Sequence, residues 1–181
     1  MNVIHCEIQG LLVLEPKVFG DARGFFMETW NQRRYREAGI EANFVQDNIS
    51  VSGRGILRGL HFQNPNAQGK LVSVLQGEVF DVAVDLRRQS PTFGQWHGTN
   101  LSGENKRQFF IPPGFAHGFV VLSETAMFHY KCSDFYSPQD EVTLRWNDAA
   151  VGIDWPLKEP LLSEKDQRGL LLSDIPAQKL Y

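Results

Sequence analysis

The feature that most restricts what this chain can fold into is the density of its short apolar runs. Segments rich in Val, Ile, Phe, Leu and Tyr recur along it, each closed by Gly, Pro, Asn, Asp or Ser, which is the pattern of strands joined by tight turns. The spacing predicts strands over Leu11 to Glu15, Phe25 to Trp30, Phe44 to Ser52, Gly55 to Phe62, Leu71 to Gln76 and Glu78 to Asp85. It predicts five more over Trp96 to Leu101, Gln108 to Ile111, Ala116 to Leu122, Thr125 to Cys132 and Val142 to Arg145. Parallel strands need helical crossovers of roughly 10 to 15 residues, and none intervenes, so a doubly wound sheet is excluded and an all-β sandwich or barrel is expected. Helix is confined to two short pieces, Asn31 to Ala38, capped by Asn31 and stopped at Gly39, and one near Ser163 to Leu171.

Side-chain alternation sharpens this in Val79-Phe80-Asp81-Val82-Ala83-Val84-Asp85. Val79, Asp81, Ala83 and Asp85 share one face while Phe80, Val82 and Val84 share the other, so one face is polar or lines a site. With 181 residues and no repeat, low-complexity tract or linker, residues 1–181 are expected to form a single domain with N-terminal strands and an appended C-terminal arm from Trp155 onward.

Charge and cysteine content narrow the partners. Eighteen Lys and Arg against 21 Asp and Glu leave a net charge of −3, no field to collect a nucleic acid backbone. An anionic ligand must therefore be met by a few placed cations. Cys6 and Cys132 form no CxxC pair, so neither a disulfide framework nor a thiolate metal site is indicated and a reducing compartment fits. Met1 to Leu14 contains Glu7 and lacks the basic start and long apolar stretch of a signal peptide. No apolar run approaches the roughly 18 residues of a membrane helix, and a cytoplasmic protein is expected.

Two histidine segments carry the chemistry. In Arg54-Gly55-Ile56-Leu57-Arg58-Gly59-Leu60-His61-Phe62-Gln63, strand alternation puts His61 on one face with Gly59 and sends Arg58 and Leu60 to the other, unless a bulge intervenes. In Ile111-Pro112-Pro113-Gly114-Phe115-Ala116-His117-Gly118-Phe119 the prolines fix the approach and Gly114 permits a positive φ ahead of His117. This second segment resembles the second motif of the cupin superfamily, whose small β-barrels hold that histidine inside the barrel mouth. Metal-binding cupins carry His-x-His in the first motif; here the pair is His61-Phe62-Gln63, which speaks against a metal. His117 reads either as a substrate-facing residue or as a structural hydrogen-bonding histidine beneath the site.

Taken in order, six segments resemble the dTDP-4-dehydrorhamnose 3,5-epimerases. They are Phe19-Gly20-Asp21-Ala22-Arg23-Gly24-Phe25-Phe26, Phe44-Val45-Gln46-Asp47-Asn48, Leu57 to Gln63, Gln68-Gly69-Lys70-Leu71-Val72, Gly77 to Asp85 and Ile111 to Phe119. The likeness runs on through Trp146-Asn147-Asp148 and Ser163-Glu164-Lys165-Asp166, with mild departures at Ala22 and Pro113. It implies a double-stranded β-helix, the cupin or jelly-roll barrel, with short peripheral helices. It also implies inversion of C3 and C5 of dTDP-4-dehydro-6-deoxy-D-glucose to give dTDP-4-dehydro-L-rhamnose, without cofactor or metal, in the supply of L-rhamnose for surface polysaccharide.

Such a reaction needs a base beside a carbon acid, a donor toward the ketone oxygen and an acid on the other face. By the resemblance, His61 is the base, Asp166 the carboxylate that orients it, Lys70 the cation at the ketone oxygen and Tyr130 the acid. Ser163-x-x-Asp166 reads equally as a helix start capped by Ser163. Arg23, Arg58 and Lys165 match positions facing the substrate, and Glu28, Gln46, Asp47, Asn48 and Glu141 match positions near the nucleotide or sugar. The resemblance further implies a homodimer whose N-terminal strands are exchanged, with Arg23 or Glu28 reaching the neighbour's site. A single-centre 5- or 3-epimerase, a metal-dependent cupin oxygenase and a non-catalytic sugar-binding cupin are the competing readings.

Overall fold

The computed structural model describes every residue from Met1 to Tyr181. Its first strands are β1 (Asn2–His5), β2 (Leu12–Glu15), β3 (Val18–Asp21) and β4 (Gly24–Met27), followed by helix α1 (Gln32–Glu37). The body of the fold is β5 (Gln46–Gly53), β6 (Leu57–Gln63), β7 (Lys70–Gln76), β8 (Glu78–Asp85), β9 (Trp96–Ser102), β10 (Gln108–Ile111), β11 (Phe115–Val121) and β12 (Thr125–Cys132). The short strand β13 (Glu141–Thr143) and the one-turn helix α2 (Glu164–Gln167) close it.

Two antiparallel sheets face each other. One has the order β1-β2-β10-β7-β12-β5 and the other β13-β6-β11-β8-β9, while β3 and β4 form a separate hairpin. Non-consecutive neighbours in both sheets produce the jelly-roll barrel. Its dry interior takes Val13, Val72, Phe109 and Phe128 from the first sheet and Val79, Ala83, Leu101 and Phe119 from the second. The opposite side chains of the same strands are buried as well. Val82, Val84 and Phe62 pack outward under a cover that includes Trp155 and Ile175, and Leu12, Leu71 and Phe110 pack outward against Tyr35 and Ile40. Strands apolar on both faces arise because each sheet is coated on its outer side by chain from one terminus, and the expected arm from Trp155 onward is one of those coats.

Strands β8, β10 and β12 fall on their predicted limits and the other predicted strands within a few residues of theirs. Strands β1 and β3 were not anticipated. Neither has a buried side chain, so neither carries the apolar alternation that marks a strand in sequence. The second predicted helix shrinks to the single turn of α2, and Phe25 to Trp30 is a strand only to Met27.

Candidate active site

The barrel opens into a cavity of ≈ 690 Å³ whose wall includes His61, Lys70, His117, Tyr130 and Asp166. Its apolar floor is made by Phe119 and Phe128, stacked with ring centroids 4.0 Å apart, and Tyr130 leans on Phe128 at 5.8 Å. His61, Lys70, His117 and Tyr130 come from strands β6, β7, β11 and β12, and Asp166 from α2.

Simple alternation misplaces Arg58, which shares the cavity with His61. Strand β11 advances two residues between His117 and Phe119 while its partner β6 retreats three, from His61 to Arg58, so β6 carries one extra residue. That residue is Gly59. It adopts φ +123°, and a Cβ there would lie 2.5 Å from the Cα of Gly118. The paired glycines let two backbones touch, and the resulting bulge turns Arg58 back to the side of His61 while Leu60 stays outward in the apolar layer.

His61 Nε2 lies 2.6 Å from Asp166 Oδ1, and its Nδ1 lies 4.0 Å from Glu141 Oε1. Asp166 is 3% exposed. The same residue takes part in the helix cap: the Ser163 hydroxyl donates to Asp166 Oδ2 at 2.8 Å, and the Asp166 amide donates to Ser163 Oγ at 3.2 Å. Burial pushes the Asp166 carboxyl up, but the His61 and Ser163 hydrogen bonds outweigh it and hold the group below the usual carboxylate range. The carboxylate thus fixes Nε2 as the protonated nitrogen and leaves Nδ1 as the free lone pair.

His117 and Asp81 form a second pair, with Nε2 3.0 Å from both carboxylate oxygens. Both are buried, and desolvation pushes Asp81 up and His117 down. The two imidazoles sit directly opposite each other on β6 and β11. Lys70, at the start of β7, is pushed down by burial, and Tyr130 is pushed up by the same cause, which keeps its phenol protonated near neutrality.

The nucleotide and sugar candidates divide. Gln46, Asn48, Arg58, Glu141 and Lys165 line the cavity. Arg58 Nε donates to Ser52 Oγ at 2.9 Å, Gln46 Nε2 to Asn48 Oδ1 at 3.0 Å and Lys165 Nζ to Glu141 Oε2 at 2.8 Å. Three expected residues do not reach it. Asp47 alternates to the other face of β5 and pairs with Lys131 at 2.7 Å. Arg23, with its side chain 89% exposed, lies on the β3–β4 hairpin paired with Asp21, and Glu28 pairs with Arg34 at 2.9 Å. Sequence reading missed Gln63, Gln68, Cys132 and Tyr136, which also line the cavity. Strand alternation from His61 and Tyr130 would have found Gln63 and Cys132; Tyr136 lies beyond β12 and had no such signal. No group of three or more His, Cys, Asp or Glu side chains converges as a metal site.

Residues 5–174 match the family model described as dTDP-4-dehydrorhamnose 3,5-epimerase. A dTDP-4-dehydrorhamnose 3,5-epimerase of Shigella flexneri is 60% identical over 93% of this chain and 94% of its own. This chain belongs to the dTDP-4-dehydrorhamnose 3,5-epimerase family. It is therefore an isomerase. A crystal structure of dTDP-6-deoxy-D-glucose-3,5-epimerase from Legionella pneumophila Philadelphia 1, in complex with dTDP-4-keto-L-rhamnose, superposes with a TM-score of 0.97 at 57% identity, covering 99% of this epimerase and 96% of that chain. A 3'-monoepimerase from Streptomyces bikiniensis in complex with dTDP-quinovose superposes at 0.87 with 34% identity, covering 93% and 86%. The scaffold thus serves both double and single inversion. No helix of this epimerase is long and apolar enough to cross a membrane.

Proposed function

We propose that this epimerase converts dTDP-4-dehydro-6-deoxy-D-glucose to dTDP-4-dehydro-L-rhamnose by inverting C3 and then C5, or the reverse, without a metal. The observation that carries the reading is the His61–Asp166 pair at 2.6 Å on the wall of a cavity that also holds Lys70 and Tyr130. His61 Nδ1 takes the proton from the carbon beside the C4 ketone, and the electron pair of that C–H bond moves onto the ketone oxygen as an enolate. The Lys70 ammonium holds the developing charge. Tyr130 gives its hydroxyl proton to the opposite face of the same carbon and recovers one from solvent, while the His61 imidazolium, stabilised by Asp166, releases the proton it took. Because both carbons flank one ketone, a single base and a single acid serve both if the sugar turns or flexes within the site.

Arg58 and Lys165 are the cations for the diphosphate, and Gln46 and Asn48 donate to the nucleotide or sugar. Arg23 and Glu28 act across a homodimer, where the hairpin of one chain reaches its partner's cavity; the four large side chains Val18, Phe19, Phe25 and Phe26, all exposed, support this. Light scattering is expected to give twice the monomer mass, and a fully active monomer would overturn the exchange. Residues 1–181 act as one catalytic domain. A cytoplasmic site suits the two free cysteines, Cys6 and Cys132.

The test of the reaction is incubation with the dTDP-linked ketone in deuterated water, followed by NMR. Deuterium at both C3 and C5 is expected. Entry at one carbon only makes the enzyme a single-centre epimerase, and entry at neither overturns the reading.

A further inference from the structure

Gln63 stands where a metal-binding cupin has its second histidine, yet its carboxamide is committed elsewhere. It is 3% exposed. Its Nε2 donates to the carbonyl of Phe135 at 3.2 Å and to that of Asn66 at 2.8 Å, and its Oε1 accepts from the amide of Ser137 at 2.9 Å. Phe135 and Ser137 are the two neighbours of Tyr136, so one side chain grips the backbone on both sides of that tyrosine.

Tyr136 makes two further hydrogen bonds of its own. It is 51% exposed, stands in the segment between β12 and β13, and lines the cavity mouth. Its hydroxyl donates to Glu141 Oε2 at 3.1 Å and its amide to Gln46 Oε1 at 3.0 Å. The surrounding chain is tied to the segment between β6 and β7 by Gln68 Nε2 to the Asp134 carbonyl at 2.9 Å and by Asn66 Nδ2 to Asp140 Oδ2 at 2.7 Å. These bonds hold the ends of the loop. Only the Gln63 carboxamide reaches both peptide groups flanking Tyr136, and Gln63 itself is fixed from behind, where the Tyr181 hydroxyl donates to its carbonyl.

We propose that Gln63 is a positioning residue for substrate binding, which uses its carboxamide to hold Tyr136 at the mouth of the cavity. The inference rests on the cavity being the nucleotide-sugar site. An amide is required because the site offers it two carbonyls and one N–H. A carboxylate would set an anion against the carbonyls of Asn66 and Phe135, and an apolar side chain would leave the Ser137 amide unpaired.

The test is steady-state kinetics with the dTDP-linked ketone for the parent enzyme, Gln63→Glu, Gln63→Met, Tyr136→Ala and the double variant Gln63→Glu/Tyr136→Ala. Both Gln63 substitutions should raise KM about tenfold with kcat within about twofold, because a ground-state contact is loosened rather than the proton-transfer groups. In the Tyr136→Ala background the Gln63→Glu step should cost less than about twofold in KM, since the group it positions is gone. Unchanged KM in both single variants, or the same penalty with and without Tyr136, overturns the proposal. If the Gln63 variants do not fold, hydrogen exchange of the parent decides: the Ser137 amide should be protected as strongly as the β13 amides, and exchange as fast as an open loop overturns it. An inactive parent would instead defeat the assignment of the reaction.

Discussion

At the scale of single residues, the proposed reaction assigns each ring nitrogen of His61 one task. Asp166 occupies Nε2 of His61, so only Nδ1 is left for proton transfer. His61→Ala should lower kcat by about a thousandfold while dTDP binding, measured calorimetrically, changes little, because general-base loss typically falls in that range. A kcat within about tenfold of the parent would remove His61 from the mechanism. Asp85 shows how a buried carboxylate is kept charged outside the site. Burial pushes it up, but hydrogen bonds from Arg87, Ser90 and Thr92 prevail and bring it to about 2. A depressed folded value means that its stabilisation is complete above the unfolded carboxyl value of about 3.9 and is lost as pH falls from there through the folded value. Melting temperature followed from pH 5 to pH 2 should fall less steeply in Asp85→Asn than in the parent, and parallel curves would refute the assignment.

At the scale of elements, the β6–β11 contact sets the geometry of the candidate site. Gly59 and Gly118 are small because the two backbones leave no room, with the Gly118 Cβ position 2.6 Å from the Arg58 carbonyl. Gly59→Ala combines a clash with backbone and a positive φ, and should cost about 2 to 3 kcal/mol in denaturant unfolding. It should also lower kcat/KM, since releasing the bulge sends Arg58 away from His61; parent-like stability would show that the strands can separate freely. The sequence carried a clue to this bulge, Arg-Gly-Leu-His facing His-Gly-Phe, but which strands are neighbours was not visible along the chain. The same limit hid Tyr136. Its neighbours are held by Gln63 at sequence separations of 72 and 74.

At the scale of the whole molecule, the apolar layer outside the β13-β6-β11-β8-β9 sheet joins the site to the C-terminal segment. Trp155 is buried there, with its indole N–H donating to the Trp146 carbonyl at 2.7 Å and its ring edge-on to Phe80 at 6.1 Å. Trp155→Ala should destabilise the fold by about 3 to 5 kcal/mol through cavity formation and an unpaired carbonyl, read from chemical denaturation. A loss below about 1 kcal/mol would mean that the coat is dispensable. Because α2 follows in the same segment and carries Asp166, loosening that coat should reduce activity before the barrel unfolds. The sequence by itself determined the strand-rich class and the limits of β8, β10 and β12, because alternation and turn spacing are local properties. Only the tertiary structure decided that Arg58 faces the cavity, that Asp47 does not, that Arg23 and Glu28 lie outside this chain's own site, and that Gln63 holds a loop, because each depends on a register or a contact between strands far apart in the chain.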